Sequence, residues 1–179
     1  IAYAALDRRG RLLPEHSRSP NSRQDTASTA KLWTLYTLLS MERDGRLPEG
    51  FMNAHSAEIR NMVIHSNNVA TLRVASAAVG QTLSPERLVR AGREIPPPEP
   101  FMVPEFTRHM NRYAQAQGLN NTHFVTVNGQ PTANHYSTPH DMARMMFELQ
   151  RDFGDHPVVQ RLEGVRNGTS AEVYAASAA

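Results

Sequence analysis

One serine and one lysine stand where a hydroxyl could be turned into a nucleophile. Ser28 and Lys31 are three residues apart, where a polar, turn-rich stretch (14–27) gives way to an apolar-periodic one. On a helix this spacing puts both side chains on one face. A serine hydroxyl is a weak nucleophile and needs an adjacent base, and an amine whose pKa is lowered by burial can be that base. A helix start adds unpaired backbone N–H groups and a positive dipole end, which would stabilise an alkoxide or an acyl oxyanion. The plainer alternative makes Ser28 a helix cap and Lys31 a solvated surface residue. Composition bears on the choice. Lys31 is the only lysine among 19 Lys and Arg residues. Arginine cannot shed its proton at working pH, whereas a buried lysine can be tuned to do so. A lone lysine under such a bias points to a site that needs a neutral amine.

Two further groups could complete such a site. Ser66-Asn67-Asn68 falls on a break between two predicted helices. There Ser66 could shuttle a proton, and the Asn68 amide could hold a substrate amide or the lysine; a helix cap with turn residues is the plainer alternative. Arg166-Asn167-Gly168-Thr169 lies in a stretch expected to be strand. Arg166 could pair bidentately with a carboxylate, and Gly168 would let a substrate approach the backbone closely. The Thr169 N–H could form an oxyanion hole with that of Ser28. The plainer alternative here is a hairpin turn at Asn-Gly.

The elements that must position these groups can be traced along the chain. Ile1 to Leu13 reads as two short strands joined at Arg8-Arg9-Gly10. Leu32, Leu35, Tyr36, Leu38 and Leu39 recur at helical spacing from Thr29 to Asp44, with Gly45 as the stop. A short helix over 57–64 carries Ile59, Met62 and Val63, and a second runs from Asn68 to about Ala78 and ends at Gly80. Pro96, Pro97, Pro98, Pro100 and Pro104 mark irregular chain. A helix from Glu105 to Gln117 presents Phe106, Met110 and Tyr113 on one face, with Gly118 as its cap. Thr122 to Val127 is strand-like. Ser137-Thr138-Pro139, followed by Asp141, starts a helix that ends near Gly154. Gly164 to Ala178 reads as one strand or a small hairpin. The order predicts an α+β fold: an antiparallel sheet of N- and C-terminal strands packed with a helical lobe. The chain is read as one domain, 1–179, with a sheet lobe at 1–27 and 160–179 and a helical lobe at 28–159.

Bulk properties narrow the field. With 179 residues, 40% hydrophobic and 20% charged, the chain is an ordinary globular domain in size and composition. It has no cysteine, which removes disulfides, thiolate metal sites and a cysteine nucleophile. The net charge is +2 and the basic residues are dispersed, so no nucleic-acid partner is expected. No apolar run approaches the roughly 20 residues of a membrane span. No signal peptide is visible ahead of Ile1, and the chain is read as a mature or trimmed form. Eight histidines are present; His135 and His140 are five apart across Pro139 with no zincin-type helical pair, so they are expected to be solvated or capping and no metal is expected. Phe101, Met102, Phe106, Met110, Met145, Met146 and Phe147 read as core.

Taken together, the serine–lysine pair, Ser66 with Asn68, and a cation before glycine near the end resemble the SxxK acyltransferase superfamily of penicillin-binding proteins and serine β-lactamases. The likeness is strongest to the low-molecular-weight D-alanyl-D-alanine carboxypeptidases. Gln117 to Met145, QGLNNTHFVTVNGQPTANHYSTPHDMARM, resembles that family's segment between its second and third motifs. The third motif reads Arg-Asn-Gly where the family has Lys-Thr-Gly: the cation is kept and the threonine hydroxyl is lost. The gaps between motifs are also shorter. The resemblance implies that Ser28 attacks a D-Ala-D-Ala carbonyl, Lys31 takes the proton, Ser66 relays it to the leaving D-alanine, and water then cleaves the acyl-enzyme. It implies substrate binding by Asn68, Arg166, Asn167, Gly168 and Thr169, peptidoglycan stem peptides as substrate, β-lactams as covalent ligands, no cofactor, and a periplasmic or extracytoplasmic location. Two other readings share the scaffold. A class A-like β-lactamase would use a Glu-x-x-x-Asn stretch for deacylation, but none of Glu94, Glu99 and Glu105 has asparagine four residues later. A non-catalytic peptidoglycan-binding relative is the other.

Overall fold

Helix α1 (Ala30–Arg43) is apolar or small on nearly every side, and eleven of its 14 residues are buried. A helix of that kind belongs at the centre of a helical assembly rather than on its surface. The structure, a computed structural model, describes residues 1–82 and 103–167, with the backbone alone at 163 and 165–167. Around α1 pack α2 (Phe51–Ala54), α3 (Ser56–Ile64), α4 (Asn68–Thr82), α5 (Pro104–Ala116) and α6 (Pro139–Phe153), while α7 (Pro157–Asn167) lies on α3. Trp33 on α1 anchors the core. Its ring stacks on Tyr36 at 4.3 Å, and its indole N–H donates to the Met110 carbonyl of α5 at 2.9 Å.

The helix boundaries follow the local chemistry. Helix α5 begins at Pro104 and buries Phe106, Met110 and Tyr113. It ends where Gly118 takes a left-handed φ of 74° and the Leu119 N–H returns to the Ala114 carbonyl at 2.9 Å. Helix α6 begins as its sequence predicts: Thr138 Oγ1 accepts the Asp141 N–H at 3.2 Å, and Pro139 occupies the first turn. The Asp141 carboxylate then accepts the Asn121 N–H at 2.9 Å and the Thr122 hydroxyl at 2.8 Å, fastening the incoming loop to the helix.

Four expectations are corrected. No strand forms among the described residues. The N-terminal segments do run antiparallel, but they pair only at Tyr3–Arg18 and Leu6–Leu12, and Pro14–His16 makes a 3-10 turn between those partners. Residues 122–127 pair only at His123–Tyr136, because side chains take the backbone groups a ladder would need. Asn111 bonds both the N–H and the carbonyl of Phe124 (2.8 and 2.9 Å), His135 takes the N–H groups of Val125 and Thr126, and Thr34 Oγ1 donates to the Val127 carbonyl at 2.6 Å. Helix α4 runs through Gly80 to Thr82; burial of Val74, Ala75, Ala78 and Val79 outweighs the roughly 1 kcal/mol that glycine costs a helix. Residues 164–167 are helical, as the end of α7, and not strand, so 160–167 form no part of a sheet. The stretch 168–179, which holds the rest of the expected C-terminal strand, lies outside the described residues, as do the prolines at 96–100 and Phe101 and Met102. Of the other core candidates, Phe106, Met110 and Met145 are buried, whereas Met146 is exposed and Phe147 instead lies against Gly10.

One glycine contact locks the segment after 122 onto the start of α1. Gly129 has φ 81°, and a Cβ placed on it would fall 1.5 Å from the Ala27 carbonyl oxygen. Gly129→Ala is therefore expected to cost at least about 3 kcal/mol, from left-handed strain plus a backbone clash. Gly118→Ala, at a similar φ but with open space around it, is expected to cost only about 1 kcal/mol. Urea unfolding of the two variants checks the difference. Thr138→Ala should lose about 1 kcal/mol of stability, with Thr138→Ser recovering most of it.

Candidate active site

Ser28 lies in a 3-10 turn, Ala27–Thr29, that runs directly into α1. Lys31 follows in the first turn of that helix and is only 2% exposed. Its Nζ lies 3.1 Å from Ser28 Oγ, 2.9 Å from Ser66 Oγ and 2.7 Å from the Ser66 carbonyl oxygen. The Ser66 hydroxyl donates to Ser28 Oγ at 2.8 Å, which closes a triangle of one nitrogen and two hydroxyl oxygens. Two left-handed residues make this possible. Ala27, just before Ser28, has φ 44°, and Ser66 itself has φ 52°. The reversal at Ser66 turns its carbonyl and its hydroxyl towards the same amine.

Burial holds the Lys31 pKa below its ordinary value of 10.5, and no neighbouring charge contributes to the shift. In its ammonium form Nζ has three donors and three oxygen acceptors; in its amine form it has a lone pair facing two hydroxyls. Ser28, Ser66 and Asn68 are exposed. The amine is thus covered from beneath while the hydroxyls open to solvent.

The capping role at the α3–α4 break falls to Asn67, not to Ser66. Asn67 Oδ1 accepts the Ala70 N–H at 2.9 Å, and its carbonyl takes the Thr71 N–H at 3.1 Å. Ser66 is left for the lysine, and Asn68 stands beside it as the first residue of α4. The third predicted group is not gathered in the same way. Arg166 and Asn167 end α7 as helix rather than lying on a strand edge, and Gly168 and Thr169 fall outside the described residues. Of the glutamates weighed for deacylation, Glu105 pairs with Arg108 on its own helix, and Glu94 and Glu99 lie outside the described residues.

His135 departs from expectation. It is neither solvated nor a cap: it is 2% exposed and bonded at both ring nitrogens. Nδ1 accepts the N–H groups of Val125 and Thr126 at 3.0 and 3.2 Å, and Nε2 lies 2.6 Å from Thr26 Oγ1, two residues before Ser28. Spacing alone does not reveal it; the one sequence signal is its place in the family-like stretch 117–145. His140 is partly exposed and stands 3.7 Å from Asp141. Among the described residues no three His, Asp or Glu side chains gather as a metal site.

Comparisons with known proteins bear on the fold and on the segment after α4. Residues 102–165 match the model of the D-alanyl-D-alanine carboxypeptidase family. The D-alanyl-D-alanine carboxypeptidase DacA of Haemophilus influenzae is 44% identical over 50 residues, which cover 28% of this chain and 13% of that protein. Among solved structures, penicillin-binding protein 5 of Haemophilus influenzae superposes with a TM-score of 0.65 at 24% identity, covering 86% of this chain and 46% of that one. Penicillin-binding protein D2 of Listeria monocytogenes, in its ampicillin-bound form, superposes with a TM-score of 0.59 at 19% identity, covering 86% of this chain and 63% of that one. The chain therefore spans less than half the length of the first of these structures. Over residues 102–165 the chain is similar to the D-alanyl-D-alanine carboxypeptidases, and its fold is similar to that of the penicillin-binding proteins on which it superposes.

Proposed function

We propose that this chain carries the acylation centre of a serine D-alanyl-D-alanine carboxypeptidase acting on peptidoglycan stem peptides. The observation that carries the reading is the buried Lys31 amine in contact with the hydroxyls of both Ser28 and Ser66. Ser28 Oγ attacks the carbonyl between the two D-alanines while Lys31, as the neutral amine, accepts its proton. Collapse of the tetrahedral intermediate breaks the C–N bond, and the proton passes from Lys31 through Ser66 to the leaving D-alanine nitrogen. Water then cleaves the ester and restores Ser28. Asn68, beside Ser66 at the open mouth, is assigned to hold a substrate amide.

A β-lactam presents a strained amide to the same serine, and the ampicillin-bound Listeria relative supports this extension. Peptidoglycan as substrate places the reaction outside the cytoplasm. No described helix is long and apolar enough to cross a membrane. The proposal rests on Ser28, Lys31, Ser66 and Asn68. A carboxylate contact from Arg166 gains no support from α7, because its strand setting is not found there.

Incubation with benzylpenicillin should add one equivalent of ligand mass to the chain, and Ser28→Ala should abolish the addition. Absence of the adduct in the parent would reject acyl transfer, and rapid multiple turnover would favour the β-lactamase alternative. The pH dependence has a definite sign. Lys31 is a base only when neutral, so the acylation rate should climb with pH as the ammonium loses its proton, with a midpoint below 10.5. Lys31→Met should slow acylation by about 10²–10⁴-fold and remove that limb. Stability carries the same sign. Between the folded and unfolded values the unfolded chain holds the proton more tightly, so the parent should gain stability as pH rises across that window, and the Met variant should not.

A further inference from the structure

The turn that presents Ser28 has no side-chain cap on its N–H groups, either at Thr26 or at Thr29; a local side-chain bond runs from the Thr29 hydroxyl to the Thr26 carbonyl. A distant stretch of chain holds it as well. Gly129 bears on the Ala27 backbone, and His135 reaches Thr26 from the other side of the same loop. The hydrogen-bond directions at His135 are settled by its surroundings. Nδ1 faces two backbone N–H groups, those of Val125 and Thr126, and must be an acceptor. A neutral ring then carries its hydrogen on Nε2 and donates it to Thr26 Oγ1. The Thr26 carbonyl in turn receives the Thr29 N–H at 3.2 Å, the bond that closes the turn around Ser28.

We infer that His135 is a positioning residue for Ser28, its Nε2–H tautomer tying Thr26, at the base of the nucleophile turn, to the Val125–Thr126 backbone. It touches neither Ser28 nor Lys31; it acts through Thr26. Protonation at Nδ1 would set a third N–H against two others, so the tie needs the neutral ring. Burial favours that form by lowering the His135 pKa from 6.5, opposed by Asp25 and aided by His123, the charged and titratable groups that act on it. The consequence for catalysis rests on the acyl-transfer reading proposed above, whereas the structural tie does not.

The test separates the two nitrogens. Thr26→Val removes the acceptor of the Nε2–H with little change of volume. His135→Asn keeps an oxygen where Nδ1 accepts and loses reach to Thr26, and Thr26→Ser keeps the acceptor hydroxyl. In the full chain, amide hydrogen exchange at Thr29 should speed at least about tenfold in Thr26→Val and His135→Asn, with the mid-α1 amides unchanged. The rate of acylation by benzylpenicillin should fall by about ten- to a hundredfold, and Thr26→Ser should keep both near the parent's values. Thr29 exchange unchanged in both variants, or α1 amides speeding equally, would overturn the inference. If the parent itself is not acylated, the proposed function fails, while the exchange measurement still decides the role of His135.

Discussion

Covering an amine removes the water that stabilises its charge, and the cost grows with how completely it is covered. Lys31 bears that cost at the first turn of the most buried helix in the fold, where the backbone leaves it little freedom to move out. Three oxygens from two serines partly replace the lost water. They are neutral, so they steady the ammonium without locking it as a carboxylate would. The amine is thereby left able to exist in either protonation state, which is the condition for passing a hydrogen rather than keeping it. The central position of α1, the break at Ser66 and the turn before Ser28 can all be understood as the frame that keeps this one nitrogen covered and its oxygens in reach.

The frame is assembled from segments far apart in sequence. Ser66 comes from the break between two helices, whose own end is capped by Asn67. The turn at Ala27–Thr29 is braced by residues 125–135, which have given up regular secondary structure to do so: Asn111, Thr34 and His135 use side chains to satisfy backbone groups that would otherwise pair with a strand. That stretch overlaps the region of family match, residues 102–165. The matched residues include none of Ser28, Lys31, Ser66 and Asn68, so their similarity lies in the scaffold beneath the site.

Much of this was legible from residue types and spacing. A lone lysine three residues after a serine pointed to a pair that the fold brings into hydrogen-bond contact, and Thr138-Pro139 with Asp141 marked a helix start that the hydrogen bonds reproduce. The features that were not legible share a cause, since each depends on a partner distant in sequence. Thr122–Val127 has strand composition, yet its amides are claimed by side chains from α5 and from His135. Gly80 reads locally as a stop, yet buried neighbours carry α4 past it. Residues 157–167 lack a strong apolar period, and the proline that opens α7 was not enough to announce a helix there. His135 reads as a polar residue near a helix start, and only the folded loop reveals that it is enclosed and doubly bonded.

The backbone at Ser66 limits what can replace it. With φ at 52°, this position is open to glycine and tolerable for small, unbranched residues, but a side chain branched at Cβ is an outlier there. Threonine carries the same hydroxyl and would be the obvious exchange by chemistry alone, yet its extra methyl is disfavoured by the very bend that points the carbonyl and the hydroxyl at one nitrogen. The bend thus leaves serine as the one aliphatic alcohol suited to this corner, whatever reaction the corner serves.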